Sequence, residues 1–256
     1  MCTAVISFAP SSPVPVLLAG VRDELLDRPW QPPDRHWPDR PALIGGRDLQ
    51  AGGTWLAVDT DARRVACVLN GWGRPAPEQA RVSRGELPLR MATDGKLGDV
   101  EPERLDPFHL LCAEPDAVRL FSWDGVDLTE RRLEPGLHMV VNCGLEGRCP
   151  ASPGAADERV QRMAARVGHF RPRLTAAPRP VPWDGSSAAA WGAWLPLAGG
   201  DGLDPGDPRA LVIRGAGEGG RGYGTTSISL VGLSAERIRY DFCAAPGDDG
   251  AWFRVL

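Results

Sequence analysis

The sequence predicts an α+β fold in which antiparallel sheets are covered by helices. Short runs of β-type residues fill the first 142 residues and return after residue 209, with two helical candidates between them. The order of strands, then helices, then strands lacks the strict alternation of a doubly wound parallel sheet. At 256 residues the chain suits one layered domain, expected over 1–256, large enough to bury most of its apolar surface.

Thr3 to Phe8 and Val14 to Arg22 are β-type runs separated by Ala9-Pro10-Ser11-Ser12-Pro13, whose prolines end both strands and favour a hairpin turn. Arg28 to Pro41, rich in proline and aspartate, reads as an ordered surface loop, since Trp30 and Trp37 need something to pack against. Trp55 to Val58 and Val65 to Leu69 form a second hairpin across Asp59-Thr60-Asp61-Ala62. After a loop from Gly71 to Pro77, Ser83-Arg84-Gly85-Glu86 starts a short helix that tolerates Pro88 only in its first turn. Phe108 to Ala113, Ala117 to Trp123, Thr129 to Leu133 and His138 to Asn142 recur about every ten residues and read as a meander in a second sheet.

The period then changes. From Asp157 to Phe170, Val160, Met163, Ala164, Val167 and Phe170 repeat at helical spacing, with Arg159, Arg162 and Arg166 expected on the other face. Ser186 to Leu195 is a second helix, stopped by Gly199-Gly200-Asp201-Gly202. Arg209 to Arg214, Thr225 to Leu233, Arg237 to Phe242 and Trp252 to Leu256 return to β. Gly215-Ala216-Gly217-Glu218-Gly219-Gly220 fits G-x-G-x-x-G, but a β-branched run follows it instead of the helix that a pyrophosphate site needs, so it reads as a hairpin loop.

With 43% hydrophobic and 24% charged residues the composition is that of a soluble globular protein. A net charge of −4 argues against a nucleic-acid backbone or an anionic membrane as main partner and favours a small molecule. Lys96, the only lysine, lies in a turn-like stretch and gives Schiff-base chemistry little support. Six cysteines follow no signal peptide, so reduced thiols in a cytoplasmic protein are expected, and no run approaches the roughly 18 apolar residues of a membrane span. The four histidines form no i, i+3 or i, i+4 pair, and Cys143 and Cys149 are too far apart for a C-x-x-C clasp, so no metal site is expected. Neither a G-x-S-x-G elbow nor a G-x-x-x-x-G-K-[ST] loop occurs.

Chemistry concentrates at the N-terminus. If Met1 is removed, the Cys2 thiol and the new α-amine share one residue, and an amine with a pKa of about 7.7–8.0 can act as base for its own nucleophile. A small residue at position 2 without a catalytic role fits the same pattern. Val21-Arg22-Asp23-Glu24 ends the second strand, where the hairpin returns the chain close to Cys2. An arginine there lowers a thiol pKa, and a carboxylate can hold the amine or orient the arginine fork. The other reading is a solvated charge cluster at a strand end.

Several segments in one order carry a resemblance. Met1-Cys2, Val21-Arg22-Asp23-Glu24, Arg28-Pro29, Gly52-Gly53-Thr54-Trp55-Leu56, Asn70, Ser83-Arg84-Gly85-Glu86-Leu87 and Tyr223-Gly224-Thr225-Thr226-Ser227 together resemble the NRDE family, that of transport and Golgi organisation protein 2. The resemblance implies a four-layer α/β/β/α sandwich of two antiparallel sheets. Such a fold is similar to the penicillin V acylase and bile-salt hydrolase branch of the N-terminal-nucleophile hydrolases. By position it makes Cys2 the nucleophile and base, Arg22 the support of the thiolate and Asp23 the group that orients the amine. It makes Asn70 and Asn142 donors to the oxyanion, although both also fit ordinary turn or strand-end asparagines. The implied activity is cofactor-free hydrolysis of an amide-type C–N bond in a small acyl substrate. The implied alternative is a non-catalytic carrier whose cleft holds haem or a lipid as cargo. Three departures stand out: Val21 replaces the asparagine of the naming motif, Thr226 stands where many relatives have arginine, and Arg22 and Asp23 are adjacent, so that on a strand they face opposite sides.

Overall fold

The structure, a computed structural model, describes residues 2–148 and 158–256. β1 (Thr3–Phe8) and β2 (Val16–Leu25) form the N-terminal hairpin, in register from Thr3 opposite Val21 to Phe8 opposite Val16. β2 runs past Arg22 and so carries Arg22 and Asp23 within the strand. β3 (Trp30–Asp34) corrects the expected surface loop: it pairs with β4 (Leu43–Asp48) as an edge strand. Its register shifts between Gln31 and Asp34, around Pro32 and Pro33, which have no N–H for the ladder. β5 (Leu56–Asp59) and β6 (Arg64–Asn70) are the second hairpin, its turn held by the Asp59 carboxylate accepting from the N–H groups of Asp61 and Ala62. α1 (Glu86–Asp94) follows, ended by Gly95 at φ 69°.

β7 (Phe108–Glu114), β8 (Ala117–Trp123) and β9 (Leu128–Arg132) form the expected meander, but β10 (Gly136–Val141) leaves it and pairs with β1. The physical reason is burial. Every residue of β9 is exposed, as befits a charged edge strand, whereas Met139, Val140 and Val141 of β10 are buried and need a strand covered on both faces. β11 (Gly144–Leu145) folds back on β10.

α2 (Glu158–Ala176) is the expected long helix, although Asp157, its expected first residue, lies outside the described residues. The second helical candidate divides into α3 (Ser187–Trp191), capped by Ser186, and α4 (Trp194–Ala198), because Gly192 between them takes φ 49° and ψ −127°. The expected strand from Arg209 to Arg214 is largely absent: Ala210 to Val212 are buried without strand pairing, and the Ala210 carbonyl accepts instead from Arg166. β12 (Arg214–Ala216), β13 (Gly222–Leu233), β14 (Ile238–Cys243) and β15 (Trp252–Arg254) complete the chain, with the glycine-rich segment as the β12–β13 hairpin loop.

The first sheet has the order β11-β10-β1-β2-β13-β14-β15, with β12 also on β13; the second runs β3 to β9 in sequence order. Period-2 alternation gives each central strand two buried faces. Ile6, Leu18 and Phe242 of the first sheet meet Leu56, Val65 and Leu111 of the second. On the opposite face of the first sheet, Val5, Leu17 and Val141 pack against Phe170, Trp191 and Trp194 of the helices. Ala66, Leu110 and Phe121 of the second sheet pack against Leu87, Leu89 and Met91 of α1. Each such side chain contributes about 1.5–3 kcal/mol by leaving water. The layers are therefore α/β/β/α, as the resemblance implied. No described helix is long and apolar enough to cross a membrane.

The expectation of reduced thiols fails at Cys143, which is disulfide-bonded. It lies in a tight reversal where Gly144 and Gly147 take φ 121° and 66°. Cys149 lies outside the described residues. Cys67 and Cys112 are buried free thiols, and burial pushes Cys112 up to about 11, which keeps it protonated and unreactive.

Candidate functional site

Strand alternation sorts the N-terminal residues. Ala4, Ile6 and Leu18 face the second sheet, which places Cys2 and Arg22 on that side; Ala19 and Val21 face the helices, which places Asp23 on theirs. The expected opposition of Arg22 and Asp23 is thus realised, and each has its own surroundings.

Asp23 is 3% exposed. Its carboxylate accepts from the Thr225 hydroxyl at 2.6 Å and lies 3.8 Å from Nη1 of Arg166. Its contact with Cys2 runs through the main chain: the Asp23 carbonyl accepts from the Cys2 thiol at 3.5 Å and from the Tyr223 hydroxyl at 3.1 Å. On β13 the register shifts between Thr225, opposite Asp23, and Ser227, opposite Arg22, leaving Thr226 as an extra residue. Such a bulge re-aims side chains. Here it brings the Thr226 hydroxyl to accept from Arg22 Nη1 at 2.9 Å. Thr226 therefore serves Arg22 directly.

Arg22 lies over the Trp55 ring, 4.5 Å from its centroid, and its Nη2 is 3.5 Å from Asp48 and 3.8 Å from Glu24. Asp48 also accepts from Arg28 at 2.6 Å. Burial pulls the Arg22 pKa down, opposed by Glu24 and Asp48. Burial likewise pushes the Cys2 thiol above its ordinary value, with the Asp23 charge adding to it; the hydrogen bond to the Asp23 carbonyl and the Arg22 charge oppose. Cys2 at rest is thus a thiol, and attack by it requires a base.

A cavity of about 600 Å³ opens between the ends of the two sheets, with Cys2, Arg22, Asp23 and Asn70 on its wall. None of the four histidines lines it. Asn142, the remaining expected site residue, lies behind the wall: its side-chain amide donates to the Asn70 carbonyl at 2.7 Å, and His109 Nε2 lies 3.3 Å from the Asn142 carbonyl. The structure therefore bonds Asn142 to Asn70, off the cavity wall, while the β1–β10 register, with Thr3 opposite Val141, runs its main chain beside that of Cys2.

Two glycine segments build the facing wall. Thr54 N–H donates to the Gly85 carbonyl at 2.9 Å, and a Cβ on Gly53 would lie 2.4 Å from the Gly85 carbonyl carbon, so only glycine permits this approach. Arg84 is carried on that wall, its Nη1 donating to the Pro107 carbonyl at 2.7 Å.

Arg84, Asp48, Thr225 and Arg166 were not among the expected site residues. The Ser83-Arg84-Gly85 segment was itself the signal for Arg84. For Arg166 the signal was periodicity. The sequence groups it with Arg159 and Arg162 on the outer face, yet it is 2% exposed, three residues after buried Met163 and four before buried Phe170, within the core-facing stripe. Among the described residues no group of three or more histidine, cysteine, aspartate or glutamate side chains is arranged to hold a metal ion.

The family model for Transport and Golgi organisation 2 matches residues 1–166. The chain belongs to that family. The segment matched by the Transport and Golgi organisation 2 family includes Cys2, Arg22, Asp23, Asn70, Arg84 and Asn142, while the β13 bulge at Thr226 lies beyond it. Among solved structures the chain is similar to a Caenorhabditis elegans N-acylethanolamine-hydrolyzing acid amidase (NAAA) ortholog, with a TM-score of 0.49 and 8% identity over 100% of each chain. No curated protein gives a significant match.

Proposed function

We propose that this protein hydrolyses an amide-type C–N bond of a small substrate, with Cys2 as nucleophile once Met1, which lies outside the described residues, has been removed. The observation that carries this reading is the place of the Cys2 thiol on the wall of a substrate-sized cavity, beside Arg22 and with no histidine lining it. In this reading the base is the α-amine of Cys2 itself. In this scheme the amine takes the thiol proton, sulfur bonds to the amide carbonyl carbon, and the carbonyl electron pair moves to oxygen. Asn70 donates to that oxygen, and Asn142 braces Asn70 from behind. Collapse breaks the C–N bond, the departing amine leaves with the ammonium proton, and water then cleaves the thioester to a free acid. Arg22 stabilises charge at sulfur, and the Asp23 carbonyl fixes the thiol direction.

The charged wall gives less support to a haem or lipid carrier, which would line its cleft with apolar groups. Intact-mass spectrometry of the purified protein before and after a thiol-reactive acylating probe tests the proposal. Loss of Met1 with selective acylation of Cys2, and loss of amide turnover in Cys2→Ser, are the expected results. A retained Met1, or turnover that survives Cys2→Ser, overturns it; a co-purified haem with a Soret band would point to the carrier.

A further inference from the structure

Charge pairing in the cavity singles out one arginine. Arg22 and Arg28 share Asp48, and Arg81 lies 3.2 Å from Asp106. Arg84 is different: among the described residues no carboxylate oxygen lies within ion-pair distance of it, and its one hydrogen bond goes from Nη1 to the neutral Pro107 carbonyl. That bond fixes the guanidinium while leaving Nε and Nη2 without a protein acceptor, and neither nitrogen is sealed from solvent. These two N–H groups form one edge of the guanidinium fork, which matches the two oxygens of a single carboxylate. Burial lowers the Arg84 pKa, and the charges of Asp106 and then Cys2 act against that. The backbone beneath Arg84 is held rigidly by the Gly53–Gly85 contact, which suits a group that positions a ligand.

We infer that Arg84 is a specificity-determining residue that holds a carboxylate of the substrate through Nε and Nη2 while the scissile amide lies at Cys2. This rests on the reading of the cavity as the amide-hydrolase site. The remaining arginines cannot give the same preference, because their charges are already matched by the carboxylates beside them.

The test compares a carboxylate with its uncharged amide at the same site. Phenylacetate and phenylacetamide are titrated into full-length Cys2→Ser protein and into the Cys2→Ser/Arg84→Gln and Cys2→Ser/Arg84→Lys variants, with binding followed by NMR saturation transfer. Arg84→Gln is expected to weaken phenylacetate about tenfold with little change for phenylacetamide, and Arg84→Lys to restore part of the loss. Equal affinities for phenylacetate with and without Arg84 overturn the inference. A matched pair of alkylating agents, iodoacetate and iodoacetamide, is then applied to the protein with native Cys2, where the thiolate displaces iodide to form a thioether. A fall of about tenfold in the iodoacetate-to-iodoacetamide rate ratio at Cys2 in Arg84→Gln supports the inference, and an unchanged ratio opposes it. If Cys2 reacts with neither agent while phenylacetate still needs Arg84, the nucleophile reading fails and the carboxylate site stands.

Discussion

The main chains of Gly53 and Gly85 touch: a Cβ on Gly53 would stand 2.4 Å from the Gly85 carbonyl carbon and 2.5 Å from its oxygen. Gly53→Ala must therefore push the Arg84-Gly85 segment away from Thr54 and strain the 2.9 Å hydrogen bond between them. Overpacking of this kind costs about 1–3 kcal/mol. The expected outcome in urea denaturation is a lower midpoint at unchanged slope, together with weakened phenylacetate binding. An unchanged midpoint would mean that the two segments separate without cost.

Asn142 offers a second prediction, because one N–H of its side-chain amide is already used on the Asn70 carbonyl. Asn142→Ala leaves that carbonyl without its partner and should lower stability by about 1–2 kcal/mol. Any loss of turnover should be smaller than the 10²–10³-fold typical of a missing oxyanion donor. Asn70→Ala should show the larger kinetic loss. Reversal of that order in steady-state kinetics would put Asn142 at the reacting atoms.

Much of this site was legible from the chain. The hairpin prolines placed Cys2 beside Arg22, and adjacency alone predicted that Arg22 and Asp23 would face different layers. What the sequence concealed depended on partners distant along it. β10 carries the same β-type residues as its meander neighbours, and only the exposure of β9 on both faces shows why it pairs with β1 instead. The Asn142–Asn70 bond follows from that exchange, since it joins the end of β10 to the end of β6 across the two sheets. The bulge at Thr226 was equally hidden, because a single extra residue leaves the alternation of β13 intact to the eye.

Arg166 supplies a third prediction. Buried at 2% exposure, it donates to the Thr3 hydroxyl at 2.8 Å and to the Ala210 carbonyl at 2.9 Å, with Asp23 3.8 Å away. Arg166→Met keeps much of the side-chain volume but removes the charge beside a buried carboxylate, so it should destabilise the fold by about 3–5 kcal/mol. The double variant Arg166→Met/Asp23→Asn should recover part of that loss, which a double-mutant cycle in urea would measure. Additive losses would show that the two groups are uncoupled.

The last prediction concerns acid stability and Asp241. This carboxylate, 0% exposed, accepts from Ser187 at 2.6 Å, Trp191 at 2.7 Å and Arg239 at 2.6 and 2.9 Å, and so ties α3 to β14. Burial alone would raise its pKa, but the bonds from Arg239, Ser187 and Trp191 outweigh it and hold the group below its ordinary 3.8. A depressed carboxyl pKa contributes stability that is complete above the unfolded value and is lost as pH falls through the folded one. The stability difference between the native protein and Asp241→Asn should therefore be large at pH about 6, where the substitution also leaves Arg239 buried without its counter-charge, and should shrink below pH about 3.8. Chemical denaturation of both proteins at the two pH values measures it. A difference that stays constant with pH would show that Asp241 holds no proton-linked stability.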